Sequence, residues 1–387
     1  MNVFIVTSLI ILFDMTMTIV NPAMPTIRNY FDTTVFMMKC SAAFNFLGYT
    51  LSVILYGHYA DVFGRRKPLI FGIIFYLFGT IICIFSQYDT IFILGRFLQG
   101  LGESSGTLVG LTIIKDLYHG NAYTKKLSRM SVFMLIGPAI APMLGGLIVA
   151  YYSWQNIFIL LFILGVILLL ITFKYLKETK QDPLEKNKSV FSSLKDCIRI
   201  LKIRSIIPPY IMIFGIYATI FSNVSNMSFL FIDVMKATPI EFAFYTMIYV
   251  GAAMIGSFIN SFLIERYNRY KLIFLGISMI LISSITMMIC HYIFALTPLI
   301  IEFIWIVESI GAVIMINNAN GWILNSLPSR DTAKGVTNIA FLKLFAATII
   351  TYITSFIQNG TILPFSYVAS FFAILSLMFI IYKFIKK

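Results

Sequence analysis

Apolar residues in this chain come in long unbroken runs. The runs cover roughly residues 3–21, 35–56, 68–86, 90–114, 131–151, 156–173, 206–232, 240–264, 271–290, 297–326, 334–357 and 363–383. Most are about 20 residues long or longer, which is what a helix rising 1.5 Å per residue needs to cross a hydrocarbon layer of about 30 Å. Closed barrels also span lipid, but their strands alternate over about ten residues, whereas Ile157 to Leu170 is continuously apolar. The pattern predicts an all-α integral membrane protein with twelve transmembrane helices.

The polar connections set the orientation. With both termini on one side, that side holds Arg65, Arg66, Lys67, Lys115, Lys125, Lys126, Arg129, the basic residues between Lys174 and Arg204, Arg266, Arg269, Lys271, Arg330, Lys334, Lys383, Lys386 and Lys387. The other side keeps Arg28, Lys39 and Lys236, while Arg96 and Lys343 fall inside apolar runs. This asymmetry predicts cytoplasmic N- and C-termini. The first run is not read as a cleaved signal peptide, because it has no basic start and carries an Asp in its middle.

Composition narrows the class. The 387 residues are 59% hydrophobic and 12% charged, with 37 Phe and 21 Tyr. No water-soluble packing hides that much apolar surface, so soluble, disordered and disulfide-stapled classes are excluded. The net charge of +13 lies between the apolar runs and reads as a topology signal, with no nucleic-acid partner expected. Cys40, Cys83, Cys197 and Cys290 form no Cys-x-x-Cys pair, the three His give no metal constellation, and no hydrolase or nucleotide-binding motif is present, so neither an enzyme nor a metal protein is expected.

The long polar stretch after Lys174 divides the runs six and six. This predicts an N-terminal bundle over 1–173, a cytoplasmic linker over 174–205 and a C-terminal bundle over 206–387. An offset of 204 residues places Asp61 on Glu265, Gly64 on Asn268, Arg65 on Arg269 and Lys67 on Lys271, so the halves read as a duplication.

Four segments resemble the major facilitator superfamily. The loop Gly57-His-Tyr-Ala-Asp61-Val-Phe-Gly64-Arg65-Arg66-Lys67 is similar to the superfamily's signature between helices 2 and 3, with Tyr59 and Val62 departing from its Leu and Arg. Span 4 carries Arg96-Phe-Leu-Gln99-Gly100-Leu-Gly102, similar to a motif of proton-coupled members. Span 5 carries Gly137-Pro138-Ala-Ile-Ala-Pro142-Met-Leu-Gly145-Gly146, similar to the antiporter motif of twelve-helix drug exporters. Span 1 carries Asp14 and then Asn21-Pro22-Ala23-Met24-Pro25. With Lys115-Asp116-Leu-Tyr118 and Trp154-Gln-Asn-Ile-Phe158, these segments most resemble the bicyclomycin-resistance (Bcr/CflA) branch of drug:proton antiporters. The resemblance covers residues 14–158. It implies two pseudo-symmetric six-helix bundles, a conformational gate of Gly57, Asp61, Gly64, Arg65 and Asp116 in which Arg65 pairs with Asp116 and Asp61 faces the start of span 11, and an acid and an Arg at positions like Asp14 and Arg96. The plainer reading of the loop is that its basic residues only hold it inside, and of Gly137-Pro138 that it only bends a helix.

Ionisable groups inside the apolar runs are the sharpest candidates, since each ionised Asp, Lys or Arg at a helix centre costs roughly 2.5–3.5 kcal/mol on insertion scales. Asp14 lies some 16 Å into span 1, near mid-depth. Arg96 and Glu103 are seven residues apart and share one side of span 4. Asp14, Arg96 and Glu103 are the expected proton-coupling residues. Glu302, Glu308, Asn317 and Lys343 are the expected substrate-cavity residues, and no motif calls for Glu308 or Lys343. The plainer reading of all these charges is static pairing that fixes helix registry.

The expected function is proton-coupled export of a small amphipathic or polar compound by alternating access. It uses the proton gradient and no cofactor, in a monomer within a bacterial inner membrane. A carrier of the same fold for a siderophore or another polar metabolite, importing or exporting, stays open beside it.

Overall fold

The computed structural model describes residues 2–118, 120–180, 198–294, 296–328, 332–357 and 359–385. Helical segments fall at all twelve predicted spans. The chain divides into two compact units, Met1–Lys195 and Asp196–Lys387. Residues 181–197 of the expected linker lie outside the described residues.

In the first unit, α1 (Asn2–Ile19) passes through a 3-10 turn (Asn21–Ala23) into α2 (Met24–Tyr30). Pro22 and Pro25 cause the change of pitch, since each removes a backbone donor. There follow α3 (Val35–Phe63), α4 (Arg66–Phe85), α5 (Asp89–Leu117), α6 (Gly120–Tyr151) and α7 (Gln155–Tyr175). The second unit contains α8 (Ile207–Ser228) with a π-helical end (Phe229–Val234), α9 (Pro239–Arg266), α10 (Arg269–Ile293), α11 (Pro298–Asn325), α12 (Thr332–Ile357) and α13 (Leu363–Ile385). Several starts carry local signals: Thr34 caps α3, Asn268 caps α10, and Thr238 with Glu241 forms a reciprocal capping box at α9.

Ten helices among the described residues are long and apolar enough to cross a membrane. The two other segments are α5 and α6. In α5 the apolar run is diluted by Arg96, Gln99, Glu103 and several small residues, and in α6 the apolar stretch among the described residues is Gly137–Tyr151.

The packing repeats between the units. In the first, α5 packs on α3, α4 and α1, while α6 packs on α1 and α7 on α4; in the second, α11 packs on α9, α10 and α8, while α12 packs on α8 and α13 on α10. The crossing of α4 with α5 is made by Gly72 and Gly102, and that of α10 with α11 by Gly276 and Gly311. A Cβ on Gly102 would lie 2.5 Å from Tyr76 N, and one on Gly311 would lie 2.8 Å from Gly276 O, so only glycine admits these approaches. The repeat is thus offset by 204 residues at Gly72 and Gly276 but by 209 at Gly102 and Gly311. Of the five extra residues, four lie in α10 beyond Gly276 and one in the loop before α11.

Candidate functional site

The first unit is polar at its centre because α5 turns Arg96, Gln99 and Glu103 to one side. All three are at most 1% exposed. Arg96 Nη1 donates to Gln99 Oε1 at 2.6 Å, and Gln99 Nε2 donates to Thr80 Oγ1 on α4 at 2.8 Å. Close by, the Tyr76 hydroxyl meets Thr16 Oγ1 of α1 at 3.0 Å. From α3, Asn45 Nδ2 reaches the Arg96 carbonyl at 3.1 Å and both Glu103 oxygens at 3.1 and 3.3 Å. Asp14, half-buried on α1, and Arg96 are charged neighbours of Glu103. Tyr49 lies within electrostatic reach of both acids.

Asp14, Arg96 and Glu103, the proton-coupling residues expected from the sequence, are therefore brought into one electrostatic group. Sequence reasoning missed Asn45, Tyr49, Tyr76 and Thr80. The recurrence of Asn45, Tyr49 and Ser52 at helical spacing on α3 is the signal that marks that face.

The antiporter segment packs against α1. A Cβ on Gly137 would sit 3.1 Å from Ile11 Cγ2 and from the Ile11 carbonyl, and Gly145, two turns on, abuts the Ile19 carbonyl and Pro22. Pro142, Gly145 and Gly146 are buried, Pro138 is half-buried, and α6 runs on through both prolines.

At the α3–α4 junction, Arg65 is a three-way tie. Its Nε donates to Asp116 Oδ2 at 2.8 Å, and its Nη1 donates to Asp61 Oδ1 at 2.8 Å and to the Ala60 carbonyl at 2.6 Å. Gly64 turns the chain with φ +83°. A Cβ there would lie 2.5 Å from Glu178 Oε2, so glycine is required twice over. Gly57 packs on α5 through Leu108.

Glu178, which the sequence did not single out, follows α7 and accepts from the backbone N–H of Arg65 at 2.8 Å and of Arg66 at 3.0 Å, at the start of α4. Partial burial pushes its carboxyl up, but the N–H donors of Arg65, Lys180, Arg66 and Thr179 outweigh this and hold it below the usual carboxylate range. Lys180 Nζ donates to the Asp61 carbonyl, and Arg66 donates to Phe173 O at 2.6 Å. The first residues after α7 thus strap the loop. In the second unit, Arg269 instead donates to the Gly321 carbonyl at 2.9 Å.

The remaining candidates lie in the second unit. Glu308 Oε1 accepts from Asn223 Nδ2 of α8 at 2.6 Å, and Glu302 and Glu308 both act on Tyr249 of α9. Lys343 holds its ammonium over the Tyr217 ring at 5.4 Å. Asn317 is exposed, whereas its neighbour Asn318 is buried and donates to Asn260 Oδ1 at 2.6 Å. Apart from these groups, a largely apolar groove of about 470 Å³ is lined by Leu55, Tyr59, Phe63, Phe71 and Phe75, with Lys67 at its edge. Among the described residues no group of three His, Cys, Asp or Glu could hold a metal.

Comparison with known proteins agrees with this architecture. The chain is 28% identical over 266 residues to an uncharacterized transporter of Rickettsia bellii, covering 68% of this chain and 65% of that one. It is 31% identical over 242 residues to the MFS-type transporter YdgK of Bacillus subtilis, covering 62% and 60%, and 27% identical over 241 residues to the multidrug resistance protein MdtL of Escherichia coli O157:H7, also covering 62% and 60%. Each of these three matches covers less than two thirds of the relative's length. Among solved structures, a D-xylose-proton symporter superposes with a TM-score of 0.77 at 13% identity over 98% of this chain and 96% of that one, which speaks for the fold alone. The family model of the Major Facilitator Superfamily matches residues 6–350, and the chain belongs to that superfamily.

Proposed function

We propose that this transporter is a proton-coupled exporter of small amphipathic or polar compounds, working by alternating access in a bacterial inner membrane, as a monomer with both termini cytoplasmic. The observation that carries the reading is the buried Glu103 carboxylate, held by Asn45 and flanked by Asp14 and Arg96. Acids in a dehydrated site with a fixed cation beside them exchange protons when water reaches them. Arg96 stabilises the deprotonated state, and Asp14, on the more exposed side, passes the proton to and from water. The Arg65–Asp61–Asp116 tie is a latch that strengthens one conformation at the cytoplasmic ends of the helices. Asn317 and Lys343 supply polar contacts to substrate. The multidrug name of MdtL supports export of drug-like compounds.

A carrier for a siderophore or another polar metabolite on the same fold is the second reading, favoured by the ammonium of Lys343 within a span. Dissipation of a pH gradient in inside-out vesicles, screened over drugs, siderophores and metabolites, tests the proposal. Substrate-triggered proton release by the wild type and none by Asp14→Asn is expected; substrate movement without proton movement would sink it.

A further inference from the structure

The second unit buries two carboxyl groups that its scaffold does not need. Glu302 is 2% exposed and Glu308 3%. Because Gly102 and Gly311 mark the same crossing, counting back along α5 and α11 places Glu308 opposite Gln99 and Glu302 opposite Ile93. The first unit builds the same helix packing with an amide and an alkyl chain at those places. The acids are therefore additions to a repeated frame.

Their surroundings are rich in acceptors. Asn223 Nδ2 donates to Glu308, and neither oxygen of Glu302 has a hydrogen-bond partner among the described residues. On α8, Ser222 Oγ, Asn223 Oδ1 and Asn226 Oδ1 are also buried without a hydrogen-bond partner among the described residues. Among the described residues, both acids act electrostatically on Tyr249 of α9, Asn223 of α8 donates to Glu308, Ser283 of α10 bonds the Ile304 carbonyl between them in sequence, and on α12 the charge of Lys343 is placed over Tyr217. The apolar wall is Met227, Ile301, Trp305 and Phe365.

An ionised carboxylate without hydrogen bonds in such a setting costs far more than a neutral acid, and a proton is the one cation that needs no added space. We infer that the buried Glu302 and Glu308 of α11 are proton-binding positions of the second unit, separate from Asp14, Arg96 and Glu103. Proton binding here does not rest on the proposed export function; only its use in transport does. Coupled to transport, the two sites would let each cycle carry more than one proton.

Infrared titration of the full-length protein in lipid nanodiscs, with no substrate present, reads the site directly. The wild type should show a protonated-carboxyl carbonyl stretch at neutral pH, shifted by deuterium exchange. Glu302→Gln and Glu308→Gln should each remove a component distinct from those removed by Asp14→Asn and Glu103→Gln. Should Glu302→Gln not be recovered folded, Glu308→Gln and Tyr249→Phe decide, the latter by shifting the carboxyl frequency. A band untouched by all three second-unit variants would overturn the inference. Loss of the band on replacing choline chloride by sodium chloride would also overturn it, in favour of a sodium site.

Discussion

Asn45 holds Glu103 at 3.1 Å while the same amide nitrogen holds the carbonyl of Arg96, so one side chain of α3 fixes both charged positions of α5. Replacing it by leucine removes a hydrogen-bond donor to a buried acid, at a cost of about 1–3 kcal/mol. Asn45→Leu should lower the thermal midpoint in detergent and impair proton-driven transport, whereas Glu103→Gln paired with native Asn45 should keep most of the stability. Equal midpoints for Asn45→Leu and wild type would contradict the role given to this amide.

Glycine crossings give a graded prediction. Gly102→Ala places a Cβ 2.5 Å from Tyr76 N and Gly276→Ala 2.5 Å from the Gly311 carbonyl, so each should cost about 1–3 kcal/mol through forced separation of two helices. Gly251, on α9, has nothing within 4 Å of the same added atom. Gly251→Ala should be neutral, or stabilising by up to about 1 kcal/mol through helix propensity. Thermal midpoints of the three variants check the order.

Much of this was legible beforehand for a simple reason: runs of about 20 apolar residues have few other uses. The all-helical membrane fold and the Arg65–Asp116 pair emerge from pattern and resemblance, and ten of the twelve expected spans are long and apolar enough among the described residues. What was not legible has equally physical reasons. The 204-residue offset holds at the α3–α4 loop but not along α11, because the longer α10 adds residues between the matched crossings. Asn45 and Tyr49 carry no charge and so do not stand out against an apolar background. Glu178 lies in a lysine-rich polar stretch where a carboxylate is unremarked, and only the geometry shows it bound to backbone amides.

The Glu178 strap predicts an acid sensitivity. A carboxyl held below its unfolded value, about 4.3 for Glu, adds stability that is complete above that value and is lost as pH falls through its lower folded value. Glu178→Gln should lower stability at neutral pH and flatten the loss of stability on acidification. Parallel pH profiles for variant and wild type would contradict the strap.

The latch predicts non-additivity. Arg65→Ala leaves Asp61 and Asp116 without their shared guanidinium, and Asp116→Ala removes one of its two carboxylate partners. In a double-mutant cycle read by transport rate and by cysteine accessibility at the cytoplasmic ends of the helices, the double variant should lose less than the sum of the singles.

Proton-driven transport measured beside substrate exchange at equal pH tests the central claim most directly. In proteoliposomes, Glu103→Gln and Asp14→Asn should still exchange labelled for unlabelled substrate across the membrane while losing movement driven by a pH gradient. If both variants kept gradient-driven transport at the wild-type rate, the Asp14, Arg96 and Glu103 group would not be the coupling site.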